Sequence, residues 1–545
     1  MSFSKSRPPR PAIAPFAVTA AEMRAIEERV FAAGMPVAAL MEKVGLLIVE
    51  QILALLPADT DPQQPIKIAI LAGPGHNGGD ALVVARELWF RGFSVQIFHP
   101  FEKRKPLTQD HWNYARTIGI PITQSVEDLL QTPEIPAFNP PPNPNLIIID
   151  GLFGFGLERP ITGDLATAIA HLNESGHPII SIDVPSGIHT DTGQILGTAI
   201  RADRTLCLGL WKRCFLQDTA IAHQGQTHLI DFDLPLSDIH TILTPQRLKR
   251  ITPQSWCPPA PRSPLAHKYT QGNLLLVVGS RTYSGAALLA GLGARASGVG
   301  MLTLAVPNPL KPILTAELPE ALIIPCPETD DGAIAQLPTS LINTLKGKPY
   351  DAIAAGCGLT VPTAKTILPR LLNTSSPLIL DADALTAIAT MPAPLDRAAP
   401  TILTPHAGEF RRVCPKLTAI LKSDHISAAQ QAANHWQSLI LLKGARTVLA
   451  NPQGYCQAIA HSTPALARGG SGDILAGLLG GLWAGAQAAE WGDTPWGGDW
   501  LDWAAMAAAW HAEAGILAAQ ERSPLGVDGR SLAEALTQIA GREKF

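Results

Sequence analysis

The chain is poor in charge. Only 16% of its 545 residues are charged, 42 lysines and arginines stand against 46 aspartates and glutamates, and the net charge is −4. That balance gives no reason to expect a nucleic-acid partner, so any polyanion must be held locally by backbone amides or a few cations. Cysteine is scarce and scattered. The seven cysteines are odd in number and include no CxxC pair, which argues against a disulfide framework or a cysteine zinc site and fits a reducing compartment. The opening MSFSKSRPPRPAIAPF is basic and broken by proline, with no apolar core of signal-peptide length. Uncharged apolar runs of membrane-spanning length are missing too: Ile474–Ala489 is apolar but glycine-rich and follows a GSGD turn, which predicts a buried helix. Together these absences predict a soluble cytoplasmic protein with no membrane partner.

What is present is length and core. Hydrophobic residues make up 46%, and 545 residues exceed what one core can serve, so two or three domains are expected. Short apolar runs ending in glycine or aspartate recur, with helical patterns between them: Ile66–Ala72, Leu146–Asp150, Ile179–Asp183, Leu274–Gly279, Ala352–Gly356, Leu378–Asp381 and Leu439–Lys443. This alternation predicts α/β architecture with open parallel sheets and chemistry at the carboxyl ends of the strands. A proline-rich, aperiodic stretch over Leu234–Pro264 marks a boundary, giving domains 1–240 and 247–545. A second proline-rich stretch, Thr132–Pro144, reads as a surface loop, and Trp491–Trp503 as a loop inserted between two C-terminal helices.

In the first half, Gly73-Pro74-Gly75-His76-Asn77-Gly78-Gly79-Asp80 lies between a strand and a helix. Glycines there let the backbone approach a ligand and point amides at an anion; a plain tight turn is the alternative. Two further loops, Asp150-Gly151-Leu152-Phe153-Gly154-Phe155-Gly156 and Ser181-Ile182-Asp183-Val184-Pro185-Ser186-Gly187, would fall on the same sheet edge. Asn77, Asp150 and Ser186 offer oxygen ligands of low total charge, suited to a hard, monovalent cation. Asp183 at a strand end is placed for acid/base work, against the plainer role of capping the PSG turn.

These loops resemble the GPGNNGGDG, D-x-x-F-G-x-G and S-x-D-x-P-S-G motifs of the NAD(P)H-hydrate epimerase family over about Val18–Asp233. The resemblance implies a Rossmann-like three-layer domain that interconverts the R and S forms of hydrated NAD(P)H at a potassium site. Asn77, Asp150 and Ser186 would hold potassium. His76, Asn77, Gly78, Gly79 and Asp80, then Gly154, Phe155, Gly156, Leu157, Glu158, Arg159 and Pro160, would bind substrate, with Asp183 contacting it and moving a proton. His76 and Ala81 depart from the family pattern.

In the second half, Arg468-Gly469-Gly470-Ser471-Gly472-Asp473 opens a long apolar helix. Successive amides and the helix dipole there could hold a phosphoryl group, with Asp473 within reach of an attacking hydroxyl; a helix start with nothing more is the alternative. The element resembles the anion hole and base of ribokinase-like kinases. With HKYTQG at 267–272, GSRTYSGA at 279–286, AGCGL at 355–359, DADAL at 381–385, TPHAGE at 404–409 and KGART at 443–447, it resembles NAD(P)H-hydrate dehydratase over about Lys249–Gly541. That implies a ribokinase-like α/β domain in which ADP or ATP phosphorylates the hydrate hydroxyl and phosphate loss restores the ring. Ala286, Gly358, His406 and Asp473 would contact the hydrated NADH or NADPH. Lys443, Gly444, Ala445, Arg446, Thr447 and Gly472 would contact the nucleotide, Asp383 would lie in the cleft, and Glu409 would bind magnesium through water. Cys357, Thr386 and the Thr463–Leu466 lead into GSGD depart from the family. Homo-oligomers are common among such sheets. Two other readings stay open at this point: a small-molecule kinase with a Rossmann accessory domain, and an N-terminal domain that only binds a partner.

Overall fold

In a computed structural model of the protein, residues 8–56, 66–130, 146–256, 262, 264–341, 350–395, 397–488 and 499–540 are described. The chain divides into two compact units, Met1–Gln246 and Arg247–Phe545. The Thr132–Pro144 stretch lies outside the described residues.

Among the described residues, the main sheet of the first unit has seven strands: β1 (Lys67–Ala72), β2 (Ser94–Phe98), β3 (Ile122–Thr123), β4 (Leu146–Gly151), β5 (Ile179–Ile182), β6 (Arg204–Leu208) and β7 (Gln226–Ile230). Their spatial order is 3-2-1-4-5-6-7, with every pairing parallel. Period-two alternation feeds two cores: Ile68, Ile70 and Ala72 face one and Ala69 and Leu71 the other, which makes three layers. The order reverses between β1 and β4. The loops after these strands, and after β5, therefore meet at the topological switch point, where open α/β sheets bind ligands.

Helix α1 (Ala20–Ala32) opens on a capping box: Thr19 Oγ1 accepts from Glu22 N at 3.2 Å and the Glu22 carboxylate accepts from Thr19 N at 2.7 Å. Met23, Ile26 and Val30 bury its inner face. The strand before it, Ala17–Val18, pairs in parallel with Trp211–Lys212, so Val18 sits in register with Lys212. Helices α2 (Val37–Leu55) and α3 (His76–Phe90) pack into the same core. No single described helix is long and apolar enough to cross a membrane; α1 and α2 pass that test only as a pair bent by 119°.

The second unit carries ten strands: β8 (Leu248–Ile251), β9 (Asn273–Val277), β10 (Met301–Pro307), β11 (Leu322–Cys326), β12 (Ala352–Ala355), β13 (Leu378–Leu380), β14 (Thr401–Leu403), β15 (Leu439–Leu442), β16 (Val448–Ala450) and β17 (Cys456–Ile459). The order is 8-17-16-15-14-13-12-9-10-11, and only β16 runs against its neighbours. Here the switch point lies between β9 and β12. All seven apolar runs read from the sequence are strands.

Helix α4 (Ser284–Ala296) and helix α7 (Ser471–Ala488) touch backbone to backbone. A methyl on Gly477 would lie 1.9 Å from Ala290 O, one on Gly293 2.1 Å from Ile474 O, and one on Gly481 1.9 Å from Ser297 Oγ. The apolar run expected to form a buried helix is α7, buried from Ile474 through Ala484. The tryptophan-rich segment needs correction: residues 491–498 lie outside the described residues, but Trp500 opens helix α8 (Trp500–Arg522), capped by Asp499, which accepts from Leu501 N at 3.1 Å. Trp503 is buried in the core and Trp500 packs edge-on against Trp483 at 4.9 Å. Tryptophan at helical spacing here serves packing.

Candidate active sites

In the first unit the Gly73–Asp80 turn is tight because Gly73 and Gly78 meet backbone. A methyl on Gly73 would lie 1.7 Å from Leu152 O and one on Gly78 1.9 Å from Gly73 O. Ala81 is fully buried, and the space its methyl takes is left by Gly151, where a Cβ would lie 2.4 Å from Ala81 Cβ. The departure at position 81 is thus absorbed by a neighbouring glycine.

Asp150, fully buried at the end of β4, accepts from Ser186 Oγ (2.6 Å), Ser181 Oγ (2.8 Å), Ser186 N (2.9 Å) and Leu152 N (3.2 Å). Burial raises its pKa against these bonds. Ser186 Oγ also accepts from Phe153 N at 2.9 Å. Asn77 donates to Ile182 O at 3.3 Å, and its Oδ1 faces Gly154, where a Cβ would lie 3.2 Å away. Of the three residues read as cation ligands, Asp150 and Ser186 are bonded to each other, with each Asp150 oxygen accepting two bonds, and Asn77 Oδ1 lies beside the adjoining Gly154.

Asp183 does not cap the PSG turn. Held at φ 68°, it accepts from Phe155 N at 3.0 Å and Leu208 N at 3.4 Å, and its Oδ1 pairs with Lys212. Lys212 is fully buried, also donates to Leu208 O at 2.5 Å, and lies 5.6 Å from the Phe155 ring. Burial works against its charge more than any single neighbour favours it, but Asp183, Cys207 and Glu27 together outweigh burial and the pKa rises. Two more carboxyls share this environment. Burial, with Asp183 and Glu27 nearby, pushes Asp80 well up, and burial pushes Glu27 to about 7 against the pull of Lys212. Lys212 and Glu27 escaped the sequence reading: Lys212 sits inside the apolar LCLGLWKRCF run and Glu27 among the charges of an amphipathic helix. His76 is exposed at the turn, as are Gly156, Glu158, Arg159 and Pro160 on the second loop, while Leu157 is half-buried.

In the second unit the carboxyl-edge loops after β12, β13 and β15 converge on the N-terminus of α7. Helix α5 (Ala382–Ile388) begins just after Asp381, which is buried and accepts from Thr404 Oγ1 (2.8 Å), Lys443 Nζ (2.7 Å) and the Cys357 thiol (3.8 Å). Ligand atoms of Cys357, Asp381 and Asp473 all lie within 4.8 Å of one another. Burial and then Asp381 push Asp473 up to about 6, and burial with the two aspartates pushes the Cys357 thiol well up. Asp383 instead accepts from Thr360 N at 2.9 Å. Asp381, not Asp383, is thus the inner carboxylate of DADAL, a point the motif alone did not settle.

Helix α6 (Ala407–Val413) is capped by His406 and Glu409: His406 Nδ1 accepts from Gly408 N at 2.9 Å and Glu409 Oε2 from His406 N at 2.9 Å. Glu409 Oε2 is also 3.8 Å from Lys443 Nζ. A methyl on Gly472 would lie 3.4 Å from Lys443 Nζ, and one on Gly358 2.9 Å from Ala286 Cβ. These contacts link Lys443, Gly472, Asp473, His406 and Glu409 into one cleft, with Ala286 and Gly358 at the β9/β12 end. The Gly444–Thr447 loop is held by Ser462 Oγ, which donates to Ala445 O at 2.6 Å. The start of α7 is pinned by His511 Nε2, 3.0 Å from Ser471 O, whose pKa burial lowers to about 4. The 267–272 motif lies elsewhere, with Gly272 against Ala484 and Gly485 at the far end of α7.

Known proteins match along the same division. A family described as NAD(P)H-hydrate dehydratase matches residues 274–538, and one described as YjeF-related protein N-terminus matches residues 37–214. The chain is 49% identical over 518 residues to the bifunctional NAD(P)H-hydrate repair enzyme Nnr of Thermosynechococcus vestitus, covering 94% of this chain and 95% of that protein. Against the protein of that name from Synechocystis sp. it is 46% identical over 525 residues, covering 95% and 94%. Among solved structures, ADP/ATP-dependent NAD(P)H-hydrate dehydratase from Bacillus subtilis, co-crystallised with ATP and Mg2+, is 33% identical, covers 52% of this chain and 94% of its own, and has a TM-score of 0.44.

Proposed function

The chain belongs to the family of bifunctional NAD(P)H-hydrate repair enzymes, and from that premise we propose how its two units divide the work. The first epimerises hydrated NAD(P)H; the second dehydrates it back to NAD(P)H. What carries this reading is that each unit brings polar residues from several of its own motifs together at the carboxyl edge of its own sheet.

In the second unit, the amides of Gly470–Asp473 and the dipole of the 18-residue α7 receive the phosphoryl group of ADP or ATP. Asp473 takes the proton of the hydrate hydroxyl as its oxygen attacks phosphorus and the bond to the nucleotide breaks. Hydroxide leaves a carbon poorly and phosphate leaves it well; the ring nitrogen's electron pair expels the phosphate, and loss of a proton from the adjacent carbon restores the double bond. Lys443 and the Gly444–Thr447 loop hold the nucleotide, while Ala286, Gly358 and His406 hold the hydrate. Magnesium, when bound, neutralises phosphate charge. Glu409, whose Oε2 accepts from the His406 amide, would hold magnesium through water.

In the first unit, Asp183 acts on the substrate between the His76–Asp80 and Gly154–Pro160 segments. The all-oxygen set of Asn77, Asp150 and Ser186, with one buried carboxylate, suits potassium. When bound, the ion supplies positive charge to substrate oxygens. A cytoplasmic homo-oligomer completes the proposal, and sedimentation of the purified chain tests the assembly.

The test is recovery of dihydronicotinamide absorbance from mixed R and S hydrates with potassium, magnesium and ADP or ATP. Full recovery is expected in wild type, a plateau after loss of the S form in Asp183→Ala, and none in Asp473→Ala. No recovery in wild type with either nucleotide overturns the dehydratase half.

A further inference from the structure

We propose that Glu27, on helix α1, is the general acid that works with Asp183 during epimerisation, an inference that rests on the epimerase reading above. Glu27 lies outside the segment that matches the N-terminal family, residues 37–214, and no motif of the chain includes it. Its place follows from how α1 is mounted. The helix leaves the sheet at Val18, the register partner of Lys212. It then touches the site at successive points: Ala20 N donates to Asp191 Oδ1 at 2.7 Å, Met23 Cε would lie 3.0 Å from a Cβ on Gly209, and Arg24 Nη2 3.9 Å from one on Gly156. Gly209 follows Leu208, whose amide meets Asp183, and Gly156 follows Phe155, whose amide does the same. Glu27 falls one turn beyond Met23 and Arg24, on the face that these contacts direct at the Asp183–Lys212 pair.

The charges around it make it a proton carrier. Glu27 lies in the field of Lys212 from the Trp211–Lys212 strand, Asp183 from the end of β5 and Arg24 from its own helix, and Asp80 of α3 feels its charge in turn; the Cys207 thiol acts on Lys212, and Asp183 and Lys212 act on the Cys214 thiol. Three carboxyls thus share one buried ammonium, and such a group keeps a proton at neutral pH because a second or third uncompensated charge in a low-dielectric site is too costly. Lys212 pairs directly with Asp183, which leaves the proton to Glu27 and Asp80. The pKa of Glu27, raised to about 7, fits that role.

The chemistry needs both an acid and a base. Water added to an enamine double bond leaves its hydroxyl on the carbon beside the ring nitrogen, a hemiaminal. Inversion there opens and recloses the ring. Asp183 takes the hydroxyl proton, the carbon–oxygen bond becomes a carbonyl, and the carbon–nitrogen bond breaks with its electron pair on nitrogen, which takes the proton of Glu27. Rotation about the neighbouring carbon–carbon bond presents the other face, and the reverse steps return both protons with the configuration inverted. No electron is gained or lost.

The experiment follows interconversion of separated R and S hydrates of NADH by the full-length chain in potassium buffer, between pH 5.5 and 9, for wild type, Glu27→Gln, Glu27→Asp and Asp183→Ala. Wild-type kcat should fall as pH rises through about 7, where Glu27 loses its proton. Glu27→Gln should lower kcat about 10²- to 10⁴-fold with little change in KM and abolish that limb, and Glu27→Asp should restore at least about tenfold of the loss together with the limb. Wild-type kcat or an intact limb in Glu27→Gln, or an aspartate variant as inactive as the glutamine one, overturns the proposal. Absence of interconversion in wild type overturns the epimerase reading itself, and this role with it.

Discussion

Each unit sets a lysine against an aspartate at the carboxyl edge of its sheet, but the two pairs differ in their access to water. The side chains of Lys212 and Asp183 are 0% and 3% exposed, whereas Lys443 keeps 20% beside Asp381 at 4%. Separating a fully buried pair leaves an uncompensated charge in a medium that cannot solvate it. Lys443 has an alternative: its ammonium lies beside Gly472, where no side chain bars the way to a phosphate held by α7. Burial therefore makes the first pair a fixed part of its site and leaves the second free to exchange its partner for a ligand.

Removing the cations should separate the pairs most sharply. Lys212→Met should destabilise the first unit by about 3–5 kcal/mol and abolish epimerisation, seen as an early transition in thermal melting. Lys443→Met also strips Asp381 of its cation but leaves its bond from Thr404, and should cost less, about 1–3 kcal/mol of stability. It should still raise the nucleotide KM at least about tenfold, the worth of a hydrogen bond to a charged group. Equal destabilisation by both would break the comparison.

A smaller effect concerns how each pair tunes its neighbours. Asp473, pushed up to about 6 by burial and by Asp381, must be ionised to act as a base, so dehydration should fall as pH drops through about 6. Asp381→Asn removes the repelling charge, and the acid limb should move down by about one pH unit. An unmoved limb would show that burial alone sets it. Smallest of all, Ala81→Gly should cost about 1 kcal/mol from helix propensity and the lost methyl, read by thermal melting, with epimerase KM unchanged because the methyl points at Gly151 and away from the cleft.

The sequence disclosed the strands well, since runs such as LLLV and LILL are buried in a parallel sheet and read as unbroken apolar stretches. It also disclosed the loops, because glycine at a strand-to-helix turn has few other uses. It did not disclose Lys212 or Glu27. A buried lysine inside an apolar run looks like a boundary charge until Val18 is paired beside it, and a glutamate on an amphipathic helix looks solvated until the contacts of Met23 and Arg24 fix which way the helix is turned. The choice between Asp381 and Asp383 turned on where a short helix begins. The tryptophans at 500 and 503 were misjudged for a related reason: aromatic residues near glycine and proline resemble a loop, and only the Asp499 cap shows that a helix has started.

The backbone contact between α4 and α7 has a mechanical consequence. With Gly477 and Gly293 each meeting main chain closer than a methyl allows, and Gly481 against the Ser297 side chain, movement of α7 toward α4 is opposed by main-chain contact, so the amides at its start act as a fixed anvil. In the proposed site, adjustment to nucleotides of different length falls to the exposed Gly444–Ala445 turn. An anion arriving at the anvil meets dipoles already in place and expends nothing on arranging them. The same contact narrows the molecule's evolutionary freedom: Gly477 and Gly293 cannot take a side chain unless a main chain moves.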